Sequence, residues 1–201
     1  MAWLDLHMHS TFSLDGQYTP KELMTLCLRA GIRTAAITDH NSTKGVAEAK
    51  KWASLTGTTL IPAVELDCTY RDVNLHVLGY WIDDLDPRFT QIEADIIAQE
   101  QKAAEIRINK VAKLGIVINS SAASSLAING IVTGEMIAEI ALQQEENAGN
   151  PLLEPYRPQG SRGDNPFVNF YWDFCAQGKP AYVPIHFISL TEAVELIHAT
   201  G

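Results

Sequence analysis

Residues 5–16, DLHMHSTFSLDG, govern the reading of the whole chain. Upstream and into this stretch, residues 2–8 (AWLDLHM) alternate apolar and polar side chains, the period-2 pattern of a strand half buried in a core. His7 and His9 stand two apart, so in extended backbone their imidazoles project from the same face. Ser13-Leu14-Asp15-Gly16 is loop chemistry, which places Asp15 just beyond the strand end. Thr19-Pro20 then supplies an N-cap and an N1 proline ahead of KELMTLCLRA, and Gly31 suits the position after the last turn. Leu23, Leu26 and Cys27 are expected on the buried face of that helix.

The same alternation of elements continues outward. Residues 34–38 (TAAIT) read as a short apolar strand, followed at once by Asp39-His40-Asn41. A helix is expected from about Thr43 to Leu55, closed by Gly57. A strand follows over residues 58–66 (TTLIPAVEL), with Glu65 near its end, and another over 73–81 (VNLHVLGYW), carrying His76. Strand and helix taking turns in this way predict an α/β fold with a parallel sheet. Beyond Asp86 the pattern becomes helical and charged, and then rich in Ser, Ala and Asn. Residues 151–170 (PLLEPYRPQGSRGDNPFVNF) read as an ordered loop region. The expected division is a barrel from residues 1–100 and 176–201, interrupted by a mainly helical insert at 101–175. SLTEAVELIHATG (189–201) carries the marks of one more helix.

Composition narrows the class. A formal net charge of -9 and a pI near 5.0 argue against a broad duplex-DNA footprint, yet they leave room for a small phosphate ester in a local cleft. Cys27, Cys68 and Cys175 are odd in number and widely spaced, so a reducing, cytoplasmic setting is expected rather than a disulfide framework. No apolar run approaches the ~20 residues of a membrane helix. The N-terminal stretch lacks the features of a secretory signal.

Four of the six histidines fall within the first 76 residues, each at or near an expected strand end. Strand ends are where α/β folds assemble their sites. One histidine there is most often a hydrogen-bonded structural residue. His7, His9, Asp15, His40, Glu65 and His76 repeat the pattern across four strands, so coincidence would have to recur four times. Imidazole with carboxylate is a donor set for Zn, Fe or Mn, and two or three such ions close together can neutralise a phosphate and activate water.

The stretches DLHMHSTFSLDG, AAITDHNS, PAVELD and NLHVLGY resemble, in this order, the motifs of the PHP (polymerase and histidinol phosphatase) domain family. The resemblance implies a distorted (β/α)7 barrel and a metal-dependent phosphoesterase. Such an enzyme hydrolyses a small phosphate ester, nucleotide-like in the most similar members, through a metal-activated hydroxide. By position, His7 and His9 hold one ion, Glu65 bridges it to a second held by His76, and Asp15 with His40 holds a third; Glu65, Asp15 and His40 are thereby the expected catalytic residues. Alternatives within the resemblance are a 5'-to-3' exoribonuclease acting on short RNA ends, a phosphatase of the histidinol-phosphate type, or a truncated, non-catalytic metal-binding module.

Two departures qualify the expectation. Leu14 lengthens the loop that carries Asp15. The chain also stops before the His-Pro-Gly and Asp-x-His stretches with which such domains complete their ligand set, so it is read as truncated at its C-terminus, with turnover by these 201 residues expected to be weak or absent. Substrate contacts are expected from Arg162 and Lys179, since the insert in similar proteins contacts the phosphate, and from His186, a loop histidine. Asp39 and Ser10 are expected to support the ligands from behind. His198, inside a helix, reads as structural.

Overall fold

The structure is a computed structural model that describes residues 3–201. Residue 2, at the start of the expected first strand, lies outside the described residues. Backbone packing divides the chain into two units: Met1–Asp95 with His186–Gly201, and Ile96–Ile185.

In the first unit, strand β1 (Leu4–Met8) lies parallel to β2 (Thr34–Ile37), and β2 lies parallel to β3 (Thr59–Tyr70). Helix α1 (Pro20–Ala30) makes the first crossover. Thr19 and Glu22 form a reciprocal capping box at its start, and Gly31 takes the left-handed conformation at its end (φ 76°). Its buried face is Leu23, Met24 and Cys27, whereas Leu26 is exposed. Leu23 and Cys27 are buried as expected and Leu26 is not; Met24 takes its place on the i, i+3, i+4 row that begins at Pro20. Helix α2 (Lys44–Thr56) turns Ala49 and Ala53 toward Ala35 and Ile37 in the same core.

The expected parallel order fails at the next step. Strand β3 does not stop at residue 66 but runs on to Tyr70, turns through Arg71 and Asp72, and returns as β4 (Val73–Tyr80), antiparallel to β3. Both turn residues adopt positive φ, 48° and 65°. A two-residue link cannot carry a chain back to start a parallel neighbour, so strand direction was settled by loop length. Along β3 the side chains alternate: Val64, Leu66 and Cys68 enter a core with Ile82, Phe89, Ala193 and Leu196. Glu65 and Asp67 fall on the opposite face. Strand β5 (Ile188–Ser189) adds beside β3, and Ser189 opens helix α7 (Leu190–Thr200) through a second capping box with Glu192.

Helix α3 (Pro87–Lys113) is unbroken across residue 100, where the insert was expected to begin. In the second unit, α4 (Ser120–Leu126), α5 (Gly134–Gln143) and α6 (Pro166–Phe170) enclose Ile137, Leu153, Tyr156 and Phe170. The region expected as an ordered loop consists mostly of turns, with one short 3-10 turn at Glu154–Tyr156 and α6 at its end. Ala181 packs into this core and its N–H donates to the Phe174 carbonyl, which holds residues beyond 175 to this unit. Asn147, fully buried, donates to the Val117 and Ala141 carbonyls and accepts from the Val117 N–H. No helix among the described residues is long and apolar enough to cross a membrane. All three cysteines are buried and free.

Candidate metal centre

The site forms where β1 and β2 end and β3 continues. Met8 points into the core, 3.9 Å (sulfur to sulfur) from Cys27, so its neighbours His7 and His9 face the other way. The chain then turns sharply: Ser13 N–H donates to the Ser10 carbonyl, and Gly16 N–H to the Ser13 carbonyl. A Cβ on Gly16 would stand 1.8 Å from the Ser10 carbonyl oxygen, so only glycine closes this turn. Leu14 is accommodated at the surface, 43% exposed. Asp15 consequently faces the histidines, 3.6 Å from His9 Nδ1 and 3.7 Å from His40 Nε2.

Behind the turn sits a buried brace. The backbone N–H of Ser10 donates to Asp39 Oδ1 (2.6 Å) and its hydroxyl donates to Asp39 Oδ2 (2.7 Å). This pair ties the end of β1 to the end of β2, and Asp39 is 1% exposed. Burial raises the Asp39 carboxyl above the usual range, and the two Ser10 bonds pull against that rise. His40 and Glu65 extend the β2–β3 ladder by one isolated bridge: Asn41 N–H donates to the Glu65 carbonyl and Glu65 N–H donates to the Asp39 carbonyl. Ser13 Oγ accepts from the His40 backbone N–H and lies 3.3 Å from His9 Nδ1.

Glu65 forms the floor, 3% exposed. Its carboxylate oxygens lie 2.8 Å from His7 Nε2, 3.2 Å from His9 Nε2 and 3.0 Å from His76 Nδ1. The imidazoles of His7, His9, His40 and His76 follow one another with ring centres 4.8–5.1 Å apart. His40 Nδ1 is 3.0 Å from Asp67 Oδ1. Burial works to lower the His40 pKa, but the Asp67 hydrogen bond and the charges of Asp67, Glu65 and Asp15 outweigh it and raise it. For Asp67, burial works upward, and the bonds to His40 and Asn41 carry the net shift below the usual range.

All six expected ligands thus converge. Together with Asp67 they fall into three overlapping groups, the donor atoms of each lying within 4.8 Å of one another: His7, His9 and Glu65; His9, Asp15 and His40; His40, Asp67 and His76. Nitrogen and carboxylate oxygen donors grouped in this way fit divalent metal ions.

The expected supporting residues act as a pair behind the strand ends rather than singly on an imidazole. Ser10 and Asp39 bond to each other, and the carboxylate against an imidazole is Asp67, which sequence reading passed over. The signal was present in PAVELD: Asp67 is two residues from Glu65 and so shares its face, as His9 does with His7. Arg162 and Lys179 belong to the second unit. There Arg162 donates from Nε and Nη2 to Asp173 (3.0 and 2.8 Å), which also accepts from the Tyr156 hydroxyl. His186 belongs to the first unit, exposed, two residues ahead of β5.

Comparison with known proteins agrees with this geometry. The profile of the PHP domain matches residues 5–146. The chain is 30% identical over 200 residues to the 5'-3' exoribonuclease of Haemophilus influenzae, covering 98% of this chain and 65% of that protein. It is 26% identical over 204 residues to the 3',5'-nucleoside bisphosphate phosphatase of Chromobacterium violaceum, covering 100% and 65%. Among solved structures, an amidohydrolase from Chromobacterium violaceum with bound sulfate and no metal superposes with a TM-score of 0.73 at 25% identity, over 99% of this chain and 64% of that one. The chain therefore spans less than two thirds of the length of each of these relatives.

Proposed function

The chain belongs to the PHP domain family, and on that premise we propose that it is part of a metal-dependent phosphoesterase that hydrolyses a small, nucleotide-like phosphate ester. One observation carries the reading: the middle of three donor groups shares His9 with one neighbour and His40 with the other, so ions held there are near neighbours rather than isolated sites. His7, His9 and Glu65 are suited to hold one divalent ion, Glu65 with His76 a second, and Asp15 with His40 a third, with Mn, Zn or Fe as candidates. Bound divalent ions supply neutralisation of phosphate charge and a lowered pKa for water.

The chain's own residues do the rest. Glu65 sets the floor from a buried strand position, so its carboxylate does not wander. His7 and His76 have side chains about half exposed, which leaves the rim open on the side from which an ester enters. The Ser10–Asp39 brace holds the two strand ends that carry His9 and His40 at a constant separation. Arg162, Lys179 and His186 are proposed contacts for the ester; Arg162 would exchange Asp173 for a phosphate of the same bidentate geometry.

Support for a nucleotide-like substrate comes from the activities of the two relatives, one acting on RNA and one on nucleoside bisphosphates. The test is phosphate or mononucleotide release from a nucleoside 3',5'-bisphosphate and from a 5'-phosphorylated oligoribonucleotide, with Mn²⁺ added, with a chelator added, and with Glu65→Gln. Release that needs the metal and Glu65 supports the proposal, and the better substrate separates the two activities. Tight metal binding without turnover of either would leave a metal-binding module and overturn the enzymatic reading of this chain.

A further inference from the structure

Asp67 was not among the expected ligands, yet its carboxylate lies within hydrogen-bond distance of a centre imidazole, that of His40. Asp67 stands directly across from His76 in the β3–β4 ladder and two residues from Glu65 on the same face. Its Oδ1 lies 3.0 Å from His40 Nδ1 and 3.4 Å from His76 Nε2. Its Oδ2 accepts from the Asn41 side-chain amide at 2.8 Å, and its own backbone N–H donates to Asn41 Oδ1 at 2.9 Å.

Asn41 is built for this task. It holds a left-handed backbone (φ 55°), which asparagine tolerates better than most residues, and its N–H donates to the Glu65 carbonyl at 2.7 Å. Both ends of its amide are therefore occupied by one residue, Asp67. A carboxylate clamped in this way cannot rotate, and the ring it faces cannot rotate either. With Nδ1 of His40 turned to Asp67, Nε2 faces Asp15 at 3.7 Å and Glu65 at 3.9 Å, the space lined by the other donors.

We infer that Asp67, locked by Asn41, is the positioning residue of the centre: it accepts a hydrogen bond from His40 Nδ1–H, fixes the ring, and so presents the Nε2 lone pair to the cation site. The inference rests on the metal-centre reading for its purpose and on the hydrogen-bond geometry for its substance. Carboxylate partners behind metal-bound imidazoles are a general device, and removing one typically weakens metal affinity by about 10- to 100-fold.

Two variants test it. Asp67→Asn keeps the shape but puts an amide where two acceptors are needed, so it cannot satisfy His40 and Asn41 together. Asn41→Gly keeps the left-handed backbone and deletes only the clamp. In the metal-free, ¹⁵N-histidine-labelled protein at about pH 8, where an ordinary imidazole is neutral, long-range NMR correlations report which His40 nitrogen holds the proton. The expected result is Nδ1–H in the wild type and loss of that preference in Asp67→Asn. Mn²⁺ titration should show affinity falling about 10- to 100-fold in Asp67→Asn and less in Asn41→Gly, with the number of ions bound at saturation unchanged.

An Nε2–H wild-type ring, or an unchanged affinity in both variants, overturns the inference. Loss of one bound ion at saturation also overturns it, since Asp67 would then be a ligand. A wild type that binds no ion defeats the metal-centre reading instead, and His40 proton placement still decides for or against Asp67.

Discussion

Ser10→Ala tests how the site is supported. The substitution removes the hydroxyl that donates to Asp39 Oδ2 at 2.7 Å and leaves the backbone bond to Oδ1 in place. The hydroxyl also accepts weakly from the Phe12 N–H at 3.3 Å. Because Asp39 is 1% exposed, water cannot replace the lost donor, and a hydrogen bond to a buried charge contributes about 1.5–3 kcal/mol. With the Phe12 contact included, a loss of about 2–3 kcal/mol is expected at neutral pH. The cost also depends on pH. Burial already raises the Asp39 pKa, and the Ser10 bonds oppose that rise. Deleting one of them raises the pKa further. In the wild type, this group's contribution to stability is greatest below the ordinary carboxylate value and is lost as pH rises through the raised one. In the variant the losing range extends to higher pH, so the penalty grows with pH through that range and then levels off.

The assay is native-state hydrogen exchange of the Ala35, Ala36 and Ile37 amides in metal-free protein, which isolates the first unit from the second. A loss of 2–3 kcal/mol corresponds to exchange roughly 30- to 140-fold faster, shrinking in acid toward the ~1 kcal/mol of a neutral bond. Unchanged protection would show that the brace does not carry the strand ends, and an equal penalty at all pH values would refute the role given to the Asp39 charge.

Gly45→Ala attacks the same brace from α2: the added Cβ would stand 2.7 Å from Asp39 Oδ2 and 3.1 Å from Ser10 Oγ. The gain in helix propensity, about 1 kcal/mol, should be outweighed by crowding worth about 1–3 kcal/mol, and a thermal melt should show a lower midpoint. The His40 pKa is raised, and a proton on the ring competes with a cation. Metal affinity is therefore expected to be full above that raised value and to fall as pH drops through it, measurable by Mn²⁺ titration between acid and neutral pH. Arg162→Ala should leave stability within about 1 kcal/mol because the Arg162–Asp173 pair is partly exposed, while KM for a phosphate ester rises if Arg162 meets substrate. An unchanged KM removes it from the substrate contacts.

The sequence by itself determined the candidate ligands and the local frames that carry them. His7 with His9 follows from the strand period, and the α1 and α7 boundaries follow from Thr19-Pro20 and Ser189 as caps. These are local rules, decided within a few residues by backbone geometry. What lay beyond them depended on partners distant in sequence. The return of β4 against β3 hangs on a two-residue turn at Arg71-Asp72 that has none of the usual glycine or asparagine signals. The burial of Met24 in place of Leu26 depends on which side of α1 meets the sheet. Asp67 is one more acidic residue in the sequence, and it becomes the partner of His40 only when the β2–β3 bridge brings residues 40 and 65 together and Asn41 folds back over them. Ligand types are written in residue identity and spacing, whereas the second carboxylate behind an imidazole is a matter of distance in space, which only the packed sheet supplies.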